Sequence, residues 1–154
     1  MLLSEVFLPE FVMCGLKGKT KYEVFEEMVD QFCLVSNKHV KKELVDALQE
    51  REARMSTGVY HGIAIPHGKT AAVDGVFGIL GVSEEGVDYG ALDGKPVHLI
   101  LMILAPPVEA GTHLGILKCM ANFLRKPSFY TDVVNAKDSE SVYAVIKRYE
   151  AQGL

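Results

Sequence analysis

Residues 97–104 read Val97-His98-Leu99-Ile100-Leu101-Met102-Ile103-Leu104, and Ala105-Pro106-Pro107 stops the run. Successive side chains of a strand point to opposite faces. Here both alternating sets are apolar, so the strand needs cover on both sides, as in the middle of a sheet flanked by helices. The flanking sequence fits that picture. Val76 to Val82 reads as a second strand, with Gly78 and Gly81 where backbones approach closely. Ile63-Ala64-Ile65 is a shorter apolar run of the same kind. Glu84 to Gly94 holds three glycines and two aspartates and reads as a loop with a short extended piece at Val87-Asp88-Tyr89.

Helices are expected before and after these strands. Thr20 is placed as an N-cap, with Glu23 completing a capping box, ahead of Val24, Phe25, Met28, Val29 and Phe32 at helical spacing. A second helix opens at Ser36 or Asn37, turns Val40, Leu44, Ala47 and Leu48 inward, and runs to about Ala53. Beyond the central strand, Thr112 reads as the N-cap of a helix with Leu114, Leu117, Met120, Ala121 and Leu124 inward, ended by Pro127. Phe129 to Val134 is a short helix or turn. Asp138 or Ser139 caps a last helix with Val142, Val145, Ile146 and Tyr149 inward. Residues 1–20 give a short strand or turn around Leu2 to Leu8 and then a glycine loop. Helices, then strands, then helices argue an α+β fold, a three-layer sandwich of helices, mixed β-sheet and helices, in a single domain over 1–154.

The bulk composition narrows the function classes. The chain has 154 residues, 49% hydrophobic and 23% charged, an ordinary balance for one globular core. Its net charge of −4 argues against nucleic-acid binding. Cys14, Cys33 and Cys119 are scattered without a CxxC pair, which fits a reducing compartment and argues against a metal site. The start, MLLSEVFLPEF, is a poor signal peptide, and no apolar run reaches the ~20 residues of a membrane helix. A cytoplasmic protein without membrane insertion and without a cofactor is expected. No GxSxG is present, which removes a nucleophile-elbow hydrolase.

The chemistry is placed in residues 51–69, REARMSTGVYHGIAIPHGK. Pro66 biases Ile65 toward extended geometry, and Gly68 admits backbone angles that a side chain resists. His67 therefore stands where a short strand breaks into a turn, held stiffly yet open. With an ordinary pKa near ~6.5, its imidazole is largely neutral and nucleophilic at physiological pH. His113, placed in the first turn of its helix, lies where free N–H groups and the helix dipole favour an anion.

Arg51-Glu52, Ser56-Thr57-Gly58 and Gly62-Ile63-Ala64-Ile65-Pro66-His67-Gly68, with Thr112-His113-Leu114 and Leu117 further on, resemble the signature of the enzyme IIA domains of the bacterial sugar phosphotransferase system, fructose/mannitol type. The similarity runs from about Lys21 to Glu150. It implies the same three-layer fold and a phosphocarrier activity. His67 would take a phosphoryl group from the phosphohistidine of the carrier protein HPr and pass it to enzyme IIB, and so indirectly to the membrane component IIC. His113 would hydrogen-bond the phosphoryl oxygens in transit. Arg51, which the family's Arg-Glu pair puts near the site, would fork across two of them as lysine cannot. Tyr60 departs from the pattern, which has glycine there. His61 is another nearby imidazole, with no acidic or thiol partners that would make a zinc site. A nitrogen-related regulatory enzyme IIA, signalling by phosphorylation-dependent protein binding, matches the same motifs. A pure interaction domain on this scaffold does not require His67, His113 and Arg51. Val59, Tyr60 and Ile63 are the candidate docking face.

Overall fold

The structure is a computed structural model that describes residues 1–153. Among these, five strands form one mixed sheet: β1 (Val12–Cys14), β2 (Ile63–Ala64), β3 (His67–Lys69), β4 (Phe77–Val87) and β5 (Val97–Ala105). The order is β1-β4-β5-β2, with β3 also on β5. β4 and β5 run antiparallel, while β1 on β4 and both β2 and β3 on β5 are parallel. β5 is thus the centre that its composition demands. Its Leu99, Leu101 and Ile103 join one core, and Val97, Ile100, Met102 and Leu104 join the other.

The first core is covered by α1 (Leu3–Val6), α4 (Ala110–Leu124), α5 (Pro127–Val134) and α6 (Ser139–Ala151). The second is covered by α2 (Lys21–Ser36) and α3 (Lys41–Glu52). The expected helix/mixed-sheet/helix sandwich is what forms. On α6, Asp138 is the N-cap and its carboxylate accepts from Ser141 N at 2.7 Å, with Val142, Val145, Ile146 and Tyr149 buried as read. Gly78 and Gly81 do mark close approaches, to side chains rather than to backbone. A Cβ at Gly78 would lie 2.6 Å from the Phe7 ring, and one at Gly81 would lie 2.6 Å from Leu16 Cδ1.

Several local expectations are overturned. Thr20 precedes α2 without a side-chain cap, and the Glu23 carboxylate accepts from Lys19 N instead. Asn37 ends α2 in the left-handed region, φ 54°, with its N–H donating to Cys33 O, rather than opening the next helix, because asparagine tolerates the backbone angles that close a helix. β4 continues through Val87 across an irregularity in its pairing with β5, where a loop was expected. Val12–Cys14 adds the β1 edge, which three residues in an irregular segment did not announce.

The largest change is in α4. A 3-10 turn at Pro107–Glu109 leads into it, so the helix starts two residues before Thr112, and the Thr112 hydroxyl donates back to Glu109 Oε2 at 2.9 Å. The buried face is His113, Ile116, Met120 and Phe123, one position round from the stripe expected, and Leu114 is exposed. The helix has two apolar stripes side by side. The one that packs is set by Phe123, whose ring meets Phe129 edge-on at 5.2 Å and lies 6.5 Å from that of Tyr149.

Candidate functional site

His67 is the first residue of β3, not the start of a turn. Ile65 and Pro66 only interrupt an edge strand that resumes at once, and Ile103 N donates to Pro66 O at 2.9 Å across the break. Proline has no N–H to give the ladder, and at an edge it needs none. Gly68 is not in the left-handed region. It is needed for closeness, since a Cβ there would stand 3.0 Å from the Ala47 carbonyl carbon and 3.1 Å from its Cβ. α3 therefore lies directly on β3. Arg51, one turn beyond Ala47 on the same face, is delivered to His67.

The His67 ring is bonded on both sides. Nδ1 lies 2.8 Å from the Ile65 carbonyl oxygen, which can only accept, so Nδ1 carries the proton. Nε2 then holds the lone pair, and it accepts from Arg51 Nε at 3.2 Å. The guanidinium is anchored at its other end by Nη1 donating to Met55 O at 2.9 Å. The ring is half-buried. Burial first, then the Arg51 cation, push its pKa below the ordinary histidine value, against the opposite pulls of the Ile65 carbonyl and Glu52. A neutral imidazole with a fixed tautomer and an available Nε2 is the result.

His113 packs edge-on against His67, with ring centroids 5.4 Å apart and planes at 87°. It is 2% exposed, and neither ring nitrogen has a hydrogen-bond partner. Burial, His67 and Lys69 bring its pKa down to about 4. It sits in the second turn of α4, not the first. Ala47, Arg51, Arg54, His67, Lys69 and His113 line an open cleft of about 300 Å³. Sequence reasoning named three residues for this site, His67, His113 and Arg51, and the fold brings all three to one cleft from β3, α4 and α3. The cleft has a nucleophilic nitrogen, a cation that forks, and a second imidazole with unused nitrogens. Such a set suits a small tetrahedral anion.

Glu52, Thr57, Tyr89 and Lys21 were given no role from sequence, yet they form a buried polar cluster behind Arg51. Glu52 is 5% exposed and accepts from Thr57 N (2.9 Å), Thr57 Oγ1 (2.6 Å) and Lys21 Nζ (3.0 Å). The available signal was the pairing of a helix-end Arg-Glu with a threonine five residues on. His61 does not reach the cleft. It is exposed at φ 57°, with Gly62 at φ 80°, in a turn whose backbone is tied to Asp93 Oδ2 through His61 N at 3.1 Å. Both left-handed positions fall after Tyr60, so a tyrosine fits where the resemblance has glycine. Tyr60 projects, 61% exposed, into a broad apolar groove of about 820 Å³ shared by Val59, Ile63, Ile65, Leu124 and Tyr130. His98 Nδ1 donates to the Ser83 carbonyl oxygen at 2.9 Å, and the residue lies apart from the cleft.

The helix/sheet/helix sandwich that carries this cleft has relatives. The family model described as "Phosphoenolpyruvate-dependent sugar phosphotransferase system, EIIA 2" matches residues 5–149, and the chain belongs to that family. Its role at this level is within a phosphotransferase system. The chain is 31% identical over 150 residues to the PTS system fructose-specific EIIABC component of Bacillus subtilis (strain 168), covering 97% of this chain and 24% of that protein. It thus spans about a quarter of that longer relative. The nitrogen regulatory protein IIA-Ntr from Neisseria meningitidis superposes with a TM-score of 0.85 at 29% identity, over 94% of this chain and 98% of that one. Enzyme IIA-mannitol from Escherichia coli, solved in complex with phosphorylated enzyme IIB-mannitol, shares the fold with a TM-score of 0.74 at 22% identity, over 90% of this chain and 94% of that one. Among the described residues, no helix is long and apolar enough to cross a membrane.

Proposed function

We propose that the protein is a cytoplasmic phosphocarrier that takes a phosphoryl group from phosphohistidine HPr on Nε2 of His67 and passes it to an enzyme IIB. The observation that carries this is the pairing of a Nδ1–H tautomer with Arg51 Nε on the lone-pair nitrogen. Nε2 attacks phosphorus, and the bond to the donor nitrogen breaks with its electron pair remaining on the donor ring. The Nδ1 proton stays against the Ile65 carbonyl, which stabilises the positive charge the ring gains. Arg51 moves from Nε2 onto the phosphoryl oxygens, and His113 supplies an N–H to them from the ring nitrogens that are otherwise unpaired. Phosphoryl transfer asks the protein mainly for position and charge stabilisation, which three such groups provide.

The groove beside the cleft fits a protein donor. It is joined to His67 through Ile65, which lines the groove and whose carbonyl fixes the ring. HPr docking there sets the donor phosphohistidine over the open cleft, and enzyme IIB takes the same face in turn. A regulatory reading, in which phosphorylation of His67 changes which protein binds, is favoured by the full-length likeness to the Neisseria nitrogen regulatory protein. About two negative charges on this face would alter its complementarity in either setting. The test is a phosphotransfer assay with phosphoenolpyruvate, enzyme I and HPr. Acid-labile, base-stable label is expected on the wild type and not on His67→Ala. Label on both proteins would move the acceptor to another histidine. Label on HPr alone would refute this donor.

A further inference from the structure

The cluster behind Arg51 carries an inference that rests on the phosphoryl-transfer reading. Arg51 and Glu52 are the last residues of α3, and the chain that follows returns through Met55, Thr57 and Gly58 to β2. Arg51 is held forward by Met55 O and His67 Nε2. Glu52 points the other way, into the core. Its carboxylate receives Thr57 N and Oγ1 and Lys21 Nζ, and the Tyr89 hydroxyl stands 2.6 Å from Thr57 Oγ1. Thr57 Oγ1 gives its proton to the carboxylate, so the phenol donates to Thr57. Burial and Glu52 raise the Tyr89 pKa far above the usual range, which keeps that proton in place. Lys21 Nζ also lies 5.0 Å over the Tyr89 ring.

Two backbone links run from this cluster to the chemistry. One is the peptide from Glu52 back to Arg51. The other passes from Thr57 O, which accepts from Ile65 N at 3.0 Å, to Ile65 O, which accepts from His67 Nδ1. Thr57 thus touches both the support of the cation and the support of the nucleophile. Gly58 closes the cluster, since a Cβ there would lie 2.7 Å from the Tyr89 ring and 2.8 Å from Ala91 Cβ. A buried carboxylate gripped at three points, by Lys21 of α2 and by the N–H and hydroxyl of Thr57 in the following loop, with Tyr89 bonded to that hydroxyl, is far more than a solvated helix end requires. Left with fewer partners, a buried carboxylate is strongly unfavourable, so the cluster holds together as a unit.

We infer that Thr57, with Glu52, Lys21 and Tyr89, is a positioning residue for phosphoryl transfer, which fixes the distance between the Arg51 guanidinium and Nε2 of His67. Thr57 touches neither the phosphoryl group nor its donor. It acts by keeping the loop from Ala53 to Gly58 in the one shape that sets both groups.

Thr57→Val is the probe, because it keeps the branched shape, changes no charge and leaves Glu52 and Tyr89 without their bridge. Thr57→Ser returns the hydroxyl. In transfer from phosphorylated HPr, Thr57→Val is expected to lower kcat roughly 10- to 100-fold, as for a small misplacement of reacting groups, with KM nearly unchanged. Thr57→Ser is expected to restore kcat. In an Arg51→Ala background the valine substitution is expected to add little, since the residue it positions is gone. The same variants are read in the free protein by following the His67 ring through a pH titration by NMR. Withdrawal of the cation raises the His67 pKa in Thr57→Val and not in Thr57→Ser. Losses that multiply with Arg51→Ala, or a His67 titration unmoved by Thr57→Val, overturn the inference. A wild type that takes no label refutes the functional reading instead, and the titration still decides the positioning. Should Thr57→Val fail to fold, Tyr89→Phe removes one donor from the same unit and is read by the same two measurements.

Discussion

His113 offers a test in which stability and function pull apart. Its ring is 2% exposed with neither nitrogen paired. An orphaned buried polar group costs about 1–3 kcal/mol, and an apolar group of the same shape removes that cost. His113→Leu is close in volume and extends the apolar face of Ile116 and Met120. At pH 7 the variant should be roughly 1–2 kcal/mol more stable, with Tm up by about 2–4 °C for each kcal/mol in a chain of this size. The pH dependence sharpens the test. His113 has a folded pKa of about 4, below the ~6.5 expected unfolded. Below pH 6.5 the unfolded chain takes up a proton that the folded one refuses, so wild-type stability falls as pH drops toward 4. The loss approaches roughly 3 kcal/mol for a fully depressed group. His113→Leu has no such group, so its advantage should widen from pH 7 to pH 4. The slope that remains belongs partly to His67, whose pKa is lowered in the same direction.

Function should move the opposite way. Removing one donor aimed at a developing anion typically costs about 10²- to 10³-fold in rate. Urea unfolding at pH 7, 5.5 and 4, with phosphotransfer from HPr at pH 7, reads both effects. A leucine variant that is less stable at pH 7, or whose advantage does not grow in acid, would show that the imidazole is satisfied and titrates normally. A leucine variant that transfers at the wild-type rate would remove His113 from the chemistry.

Gly68→Ala places a Cβ 3.0 Å from the Ala47 carbonyl carbon. It should destabilise by roughly 1–3 kcal/mol in urea unfolding and slow phosphorylation of His67, because α3 and Arg51 must back away from β3. Tyr60→Glu should raise the KM for phosphorylated HPr with little change in kcat, since Tyr60 lines the groove and not the cleft; an unchanged KM would count against that face. Asp138→Ala loses the cap on Ser141 N and should cost about 1 kcal/mol of stability while leaving phosphotransfer at the wild-type rate.

The sequence announced the fold wherever one period dominated. β5 is apolar on both alternations, and only a covered central strand satisfies that. α6 has one stripe and one cap, and its start and buried face emerged as read. α4 resisted because it has two adjacent apolar stripes. One of them, Leu114, Leu117, Ala121 and Leu124, turns out to lie at the margin, with Leu114 and Ala121 exposed, Leu117 and Leu124 half-buried against the core, and Ala121 and Leu124 beside the apolar groove. Choosing between the stripes needs Phe129 and Tyr149, which arrive later in the chain and fix Phe123. That choice also puts His113 inside, where its missing partners become visible. No periodicity in α4 alone distinguishes a buried imidazole from a solvated one.

Arg51 and Glu52 show the same limit at the scale of two residues. In the sequence the resemblance singles out Arg51 for the site and leaves Glu52 without a role. The fold separates them by direction: one carboxylate is driven inward by Lys21 and Thr57, and that commits its neighbour to the opposite side, onto His67. A site residue and a structural residue are here consecutive, each setting the other's orientation. Arg51 is held by Met55 O and His67 Nε2, and the charge beside it is buried and neutralised. An arginine at this position without the glutamate would keep its reach but lose its aim, which is why Arg51→Lys and Glu52→Gln should both slow transfer. Arg51→Lys would do so by losing the fork, and Glu52→Gln by loosening the carboxylate that Lys21 and Thr57 grip.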